Sequence, residues 1–184
     1  MDSSEELIAR ARRGDEEAFR LIFERYTRPV ISFIFYMVGQ RELAKELAQE
    51  TFVRAFGSIH KLRSEAKLST WLFGIAKNVS RESLRSRRTE SHHIDRSPSS
   101  DIRNEGASPV MQMLEKELGD VMRRALGELD EEKRLVFTLK VYQQLSYEEI
   151  AEVTGFSLPK IRNDLYRSRA ELRRLLSPYL GGER

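Results

Sequence analysis

Apolar residues recur at the three- and four-residue spacing of an α-helix along most of this 184-residue sequence. No segment alternates apolar and polar residues as a half-buried strand does, so the spacing predicts helices throughout. Side chains suited to capping stand at four predicted helix starts: Asp15, Asp130, Ser146 and Ser157. Ser146 is followed three residues later by Glu149, which is the capping-box pattern. Gly39 and Gly155 are expected to end helices. The predicted fold class is therefore all-α.

The first half of the sequence contains several predicted helices around one core. Pro29 is expected to begin a new helix, and residues 30–38 are apolar on nearly all sides, which predicts a buried central helix. Residues 41–56 form the next predicted helix, whose core-facing residues are expected to be Leu43, Leu47, Phe52 and Phe56. A loop over residues 57–68 and a helix over 69–87 complete this half. The apolar side of that last helix is predicted to carry Trp71, Leu72, Ile75 and Val79.

A polar stretch interrupts the helical pattern at residues 89–110. It is rich in Ser, also contains Asn, Asp and Pro, and has few large apolar residues. Such a segment cannot bury enough surface to offset the entropy of ordering, and it is too long for a loop inside a compact domain. The sequence thus predicts two small helical domains, residues 1–88 and 111–184, joined by a flexible linker over 89–110.

Composition excludes several classes of site. The sequence has no cysteine and only three histidines, of which His60 is isolated and His92 and His93 are adjacent, so neither a disulfide nor a metal site is expected, and no cofactor is expected. The first residues are charged and lack the apolar core of a signal peptide, and the longest apolar run is too short to span a bilayer. We therefore expect a cytoplasmic protein with no stable membrane insertion.

Positive charge is concentrated in two regions although the net charge is only +3. Residues 61–96 and the segment from residue 160 onward are each rich in Lys and Arg, whereas residues 42–50 and 115–132 are acidic on balance. Two separate basic regions favour two contacts with a polyanion.

Residues 145–176 have the pattern of a helix-turn-helix. Tyr147, Ile150, Ala151 and Val153 are expected to face inward on the first helix, and Gly155 allows the tight turn. Ile161 and Leu165 are expected on the inner side of the second helix. Its outer side carries a basic and polar set, in which the candidate DNA-reading residues are Lys160, Arg162, Asn163, Tyr166 and Arg167. A helix face of this kind can also be a plain solvated surface, and this alternative stays open.

These segments together resemble the extracytoplasmic-function (ECF) sigma factors of bacteria. The similarity is carried by GDEEAFRLIFERY, KELAQETFVRAF and KLSTWLFGIAKNVSRESLRSRR in the first half, and by LSYEEIAEVTGFSLPKIRNDLYRSRAELRRLL in the second. It covers nearly the whole sequence except the linker. One departure concerns the recognition helix, where the family commonly has Lys-Ser-Arg or Arg-Ser-Arg and this sequence has Arg162, Asn163 and Asp164. We expect the change to alter sequence preference. Asp164 is expected to face away, accept from a cytosine amino group, or pair with Arg167 or Arg169.

The resemblance implies a sigma factor that binds core RNA polymerase and directs promoter recognition, DNA opening and transcription initiation. It implies that the first domain contacts the polymerase through a set on one helix: Glu46, Leu47, Gln49, Glu50 and Arg54. It implies that the same domain captures the exposed non-template strand of the −10 element through a second set: Arg63, Lys67, Trp71, Lys77, Asn78, Arg81 and Arg85. A role for Trp71 in the core is an equal alternative. Double-stranded promoter DNA would be read at the −35 element by the helix-turn-helix, and an anti-sigma protein is a further implied partner.

Two other functional classes are alternatives to a sigma factor. An ordinary DNA-binding regulator would bind DNA without polymerase, and its first domain would sense a signal or dimerise. An enzyme has no support, because the sequence contains no phosphate-binding glycine loop, nucleophile motif or pair of catalytic carboxylates. The sequence therefore predicts a transcription initiation factor that is not an enzyme.

Overall fold

The computed structural model describes residues 4–62, 67–90 and 109–179. Within these ranges every regular element is helical, which confirms the all-α fold class. The eight α-helices are α1 (Ser4–Arg12), α2 (Glu16–Val38), α3 (Arg41–Ser58), α4 (Leu68–Glu90), α5 (Pro109–Glu128), α6 (Glu131–Phe137), α7 (Tyr147–Thr154) and α8 (Leu158–Leu176). A 3-10 turn, Ile59–Lys61, follows α3, and a π-helical segment, Thr138–Tyr142, continues α6.

The predicted helix ends are confirmed where the described residues test them. The four N-cap side chains each accept a backbone N–H of the first turn, and they are Asp15, Asp130, Ser146 and Ser157. Ser146 and Glu149 make both bonds of the capping box. Gly39 and Gly155 end α2 and α7 with φ of 76° each, in the left-handed region that favours glycine. Caps were predictable because they depend on neighbours in sequence.

The first half of the molecule packs α3 and α4 against the long central helix α2. Val30, Phe33 and Ile34 of α2 are fully buried together with Leu72 of α4. The expected helix start at Pro29 is wrong, because α2 runs without a break from Glu16 to Val38 and contains Pro29. Proline cannot donate to the carbonyl one turn earlier, and the packing of both flanking turns into one core compensates for that lost bond.

The buried stripe of α3 differs from the expected one. It consists of Ala44, Ala48, Thr51, Phe52 and Ala55. Four small residues let α3 approach its neighbours closely, whereas Leu43 and Leu47 lie half-buried at the edge. The prediction that Phe56 faces the core is wrong, since 53% of its surface is exposed. Its ring instead meets the ring of Phe19 edge-on, with centroids 5.0 Å apart.

The second half is built from α5 to α8. Its most buried side chains come from every one of these helices and include Leu126, Leu135, Ile150, Ile161 and Leu165. The helix predicted from Asp130 to about Tyr142 is present, but its last turn widens into the π-helical segment. Gln144 then takes a positive φ of 56° before the capping box of α7.

The two halves contact one another directly. Tyr36 of α2 stacks on Tyr142 of the π-helical segment, with ring centroids 3.9 Å apart and 20° between the ring planes. Helix α4 lies along α7, the first helix of the helix-turn-helix. Most of the expected flexible linker, residues 91–108, lies outside the described residues. Its predicted ends differ slightly from the structure, because α4 continues to Glu90 and α5 begins at Pro109.

Candidate nucleic-acid and partner interfaces

The second helix of the helix-turn-helix, α8, presents a polar face to solvent. Its inner side is fixed by the buried residues Ile161, Leu165 and Ser168. The opposite side exposes the four residues predicted to read the −35 element: Arg162, Asn163, Tyr166 and Arg167. Tyr166 is 75% exposed, although tyrosine normally gains from burying its ring. The structure therefore brings these four residues together on one accessible face.

Lys160 has a different position from the other members of that set. Its Nζ atom lies 2.7 Å from Asp164 Oδ2 and 2.9 Å from Glu132 Oε2, and 4.7 Å from the ring centroid of Phe156. Hydrogen bonds to Asp164 and Glu132 raise the pKa of Lys160. The charged end of Lys160 is therefore engaged by Asp164, Glu132 and the ring of Phe156. The carboxylate of Asp164 is buried and turns away from the exposed face, as expected, but it pairs with Lys160 and not with either arginine.

The sequence did not predict that Tyr147 and Lys140 lie beside Arg162. The ring of Tyr147 is near two cations, with Arg162 Cζ 5.7 Å and Lys140 Nζ 4.9 Å from its centroid. Lys140 also donates to the backbone carbonyl of Leu145 at 2.9 Å. The sequence predicts only an inward-facing role for Tyr147. The first residue of α7 lies at the edge of the turn, where an aromatic ring can contact both the core and the recognition helix.

Three cations predicted to bind the −10 element contact the second half of the molecule. Lys77 Nζ donates to the carbonyl oxygen of Val153 at 2.6 Å, and Arg81 Nε lies 2.5 Å from Glu131 Oε1. Lys67 Nζ is 3.0 Å from Glu149 Oε1. Burial, followed by the nearby charge of Arg81, lowers the pKa of Lys77. These contacts were not predictable from sequence, because they join residues 50 to 82 positions apart.

The remaining −10 candidates fall into three groups. Asn78 and Arg85 are exposed on α4. Trp71 is half-buried and packs against the hydrophobic core, so its position is compatible with the core role that was weighed against DNA opening. Arg63 lies outside the described residues.

The polymerase-binding candidates lie on the outer face of α3. Glu46, Gln49 and Glu50 are exposed, and Leu47 is half-buried. Arg54 Nε lies 2.7 Å from Glu50 Oε1, and its Nη2 atom lies 2.8 Å from Glu82 Oε2 on α4.

Two apolar residues on the same helix, missed from sequence, add to this face. Val53 is 67% exposed and Phe56 is 53% exposed. Phe23 of α2, 41% exposed, packs edge-on against Phe52 at a centroid distance of 4.7 Å. An exposed apolar patch beside acidic and amide groups is typical of a protein-binding surface.

The described part of the chain offers no group of three or more His, Asp or Glu side chains suited to hold a metal ion. Among those same residues, no helix is both long and apolar enough to cross a membrane.

The architecture defines a DNA-binding helix-turn-helix protein with an additional helical unit that carries its own exposed interaction face. Residues 22–90 match Sigma-70 region 2, and residues 120–172 match Sigma-70, region 4. The chain belongs to the sigma-70 family and is of the ECF type. It is therefore a sigma factor, a transcription initiation factor that recognises promoters and is not an enzyme.

Similar proteins agree with this assignment along the whole chain. The chain is 29% identical to the RNA polymerase sigma-H factor of Pseudomonas aeruginosa, over 97% of its own length and 96% of the relative's. It is also 29% identical to the ECF RNA polymerase sigma-E factor of Escherichia coli, covering 95% and 94% of the two chains. Its fold is similar to that of CnrH in complex with the cytosolic domain of CnrY, with a TM-score of 0.74, 24% identity and coverage of 96% and 99%.

A second solved structure has the same fold. It is the sigma factor RpoE of Bartonella quintana in complex with the anti-sigma factor NepR, with a TM-score of 0.72 and 23% identity. It covers 86% of this chain and 96% of that one.

Proposed function

We propose that this sigma factor uses three separate faces: the outer face of α3 for core RNA polymerase, α4 with the preceding loop for the −10 element, and the exposed face of α8 for the −35 element. The observation that carries the proposal is the exposed set Arg162, Asn163, Tyr166 and Arg167 on a helix held by a capped, glycine-ended turn. The N-terminal part of such a helix meets base edges in the major groove.

Each residue of the −35 face has a distinct expected contact. Arg162 can donate two hydrogen bonds to guanine, and Asn163 can pair with adenine. Tyr166 can pack on a thymine methyl group or the sugar backbone, and Arg167, about one turn further on, reaches a base or a phosphate. Lys160 leaves the proposed set, because Asp164 and Glu132 already hold its ammonium group. Tyr147 is added to the proposed −35 set, because its ring contacts the guanidinium group of Arg162.

The proposed polymerase face combines charge with apolar surface. Glu46, Gln49 and Glu50 suit a basic partner helix, and Val53 and Phe56 supply apolar area that is already exposed. Burial of this area drives association, and the charges orient the partner.

The proposed −10 face lies on the same half of the molecule. Capturing unpaired bases offsets stacking lost on strand separation, about 1.4 kcal/mol per base-pair step. Asn78 is the exposed amide available for a base, and Arg85, Arg81 and Lys77 follow one side of α4 at four-residue spacing.

We further propose that domains 1–88 and 111–184 are tethered by the segment between them, and that the protein works in the cytoplasm.

An anti-sigma protein is proposed as a further partner. The sigma factor of Bartonella quintana with the same fold was solved in complex with such a factor. The exposed apolar patch of α3 is one surface on which a regulatory protein can compete with polymerase.

The test of the −35 assignment is selection of preferred sequences by purified holoenzyme from a randomised promoter library. Arg162→Ala and Asn163→Ala should each cost about 1–3 kcal/mol, or roughly 5- to 150-fold, at one base position and relax the preference there. Arg173→Ala, an exposed arginine further along α8, is the matched control and should weaken all sequences alike, if at all. An unchanged preference in both variants would show that α8 does not read bases through them.

A further inference from the structure

Arg54 of α3 joins two glutamates that lie on different helices. Its Nε atom lies 2.7 Å from Oε1 of Glu50, one turn earlier on α3. Its two terminal nitrogens bind Glu82 of α4 side by side, with Nη1 3.1 Å from Oε1 and Nη2 2.8 Å from Oε2. Hydrogen bonds from Arg54 lower the pKa of Glu82, so this carboxylate is ionised at neutral pH. The three side chains form one group at the junction of α3 and α4 that is negative overall.

The geometry of this group sets it apart from an ordinary surface ion pair. An exposed pair usually contributes little because water and salt screen it, but a bidentate arginine within a network is held more firmly. The side chains of Glu50, Arg54 and Glu82 are 46%, 41% and 56% exposed. The network therefore lies where a partner can reach it, and its members hold one another in place.

Glu50 keeps one carboxylate oxygen available in this arrangement. The one hydrogen bond that the described residues give Glu50 uses Oε1. An arginine can hold both oxygens of one carboxylate through Nε and a terminal nitrogen. Both terminal nitrogens of Arg54 are instead bound to Glu82. Glu82 thus leaves Oε2 of Glu50 open to a donor on a partner.

Loss of Glu82 would change both the charge and the order of the polymerase face. Arg54 and Glu50 would then form a closed and neutral pair, which attracts a basic partner helix less strongly. Side chains that are fixed before binding also avoid the entropy cost of ordering on the partner, an effect of about 2- to 10-fold in affinity for each long side chain. Charge and order therefore act in the same direction.

We propose that Glu82 is a positioning residue for the polymerase face: through Arg54 it holds Glu50 in the orientation that binds core RNA polymerase. This inference rests on the proposed role of the outer face of α3. It gives Glu82 a part in polymerase binding although this residue lies on α4, the helix proposed for −10 DNA. Arg54 acts through Glu50 and is not itself a contact with polymerase.

The test measures the affinity of each variant for core polymerase by fluorescence titration in the absence of DNA, so that the −10 role of α4 does not contribute. Glu82→Ala should weaken binding at least about threefold, and Glu50→Ala by at least as much. The matched control is Glu17→Ala on α2. It takes one of two glutamates away from the exposed Arg20 in the same manner and should leave the affinity unchanged. A circular dichroism melt shows that each variant is folded.

A double variant separates positioning from a direct contact of Glu82 with polymerase. In an Arg54→Ala background Glu82 has no link to Glu50, so adding Glu82→Ala should weaken binding no further. An equal loss in that background would overturn the proposal. Tighter binding by Glu82→Ala alone would also overturn it, because release of Arg54 helps only if the guanidinium group contacts polymerase itself.

Glu50→Ala distinguishes failure of this inference from failure of the proposed polymerase face. If Glu50→Ala weakens binding and Glu82→Ala does not, the α3 face stands and the positioning role is wrong. If only Glu82→Ala weakens binding, Glu82 acts without Glu50 and the positioning role is again wrong. If neither variant weakens binding, Glu50 is not a contact and both proposals fall.

Discussion

Replacing Asp164 by Asn should lower stability without changing which −35 sequence is preferred. The carboxylate is buried in the second half, and its Oδ2 atom lies 2.7 Å from Lys160 Nζ. Breaking a fully buried pair costs about 3–5 kcal/mol, and an exposed pair about 0–1 kcal/mol. Lys160 keeps Glu132 at 2.9 Å and its side chain is 36% exposed, so solvent replaces part of the loss. We therefore expect a cost of about 1–2 kcal/mol.

For a chain of this size each kcal/mol lowers the melting temperature by about 2–4 °C, so the expected shift is roughly 2–8 °C. Thermal unfolding followed by circular dichroism measures it. The control Glu152→Gln makes the same charge change at an exposed position of α7 and should shift the melting temperature by less than about 2 °C. A changed −35 preference with unaltered stability would refute this reasoning and show that Asp164 reads a base.

Two other predictions concern acidic residues. Glu50→Lys should weaken binding to core polymerase roughly tenfold. It should not unfold the protein, because Arg54 keeps its ion pair with Glu82 at 2.8 Å. Binding is measured by fluorescence titration with Glu152→Lys as the control, and equal affinity of both variants would count against the α3 face. The pKa of Glu149 lies below its ordinary 4.5, because hydrogen bonds from Ser146 and Lys67 outweigh the opposing effect of burial. Its ionised form therefore stabilises the fold above pH 4.5, and that contribution is lost as the pH falls through the lowered pKa. The melting temperature of Glu149→Gln should therefore fall less steeply below pH 5 than that of the unchanged protein.

The helix ends and the inner face of the helix-turn-helix were predictable because their signals are local. Asp15 caps α2 by accepting a hydrogen bond from the backbone N–H of Ala18, three residues later. Ile161 and Leu165 are four residues apart on one helix and are both buried in the same core. The chain has a positive φ at position 155, which favours glycine. A glycine at the end of a helical pattern indicates such a turn without knowledge of the rest of the fold.

Other features depended on tertiary packing and were not predictable. Pro29 continues α2 because residues on both sides of it enter the same core. Phe56 is exposed because alanines already fill the buried side of α3. The partners of Lys77 and Arg81 lie in the other half of the chain, and a basic stretch in a sequence carries no information on which acceptors it meets.

The π-helical segment at the end of α6 sets the direction in which the chain leaves that helix. A π turn amounts to one residue inserted into an α-helix, and one residue of an α-helix corresponds to a rotation of about 100°. Deleting one residue between Thr138 and Tyr142 would restore the α-helical repeat and turn the following chain about the helix axis by that angle. Tyr142 would then point away from Tyr36, and α7 would start from a different side of α6. The single added residue of the π turn thus sets the rotation about the axis of α6 at which the helix-turn-helix begins.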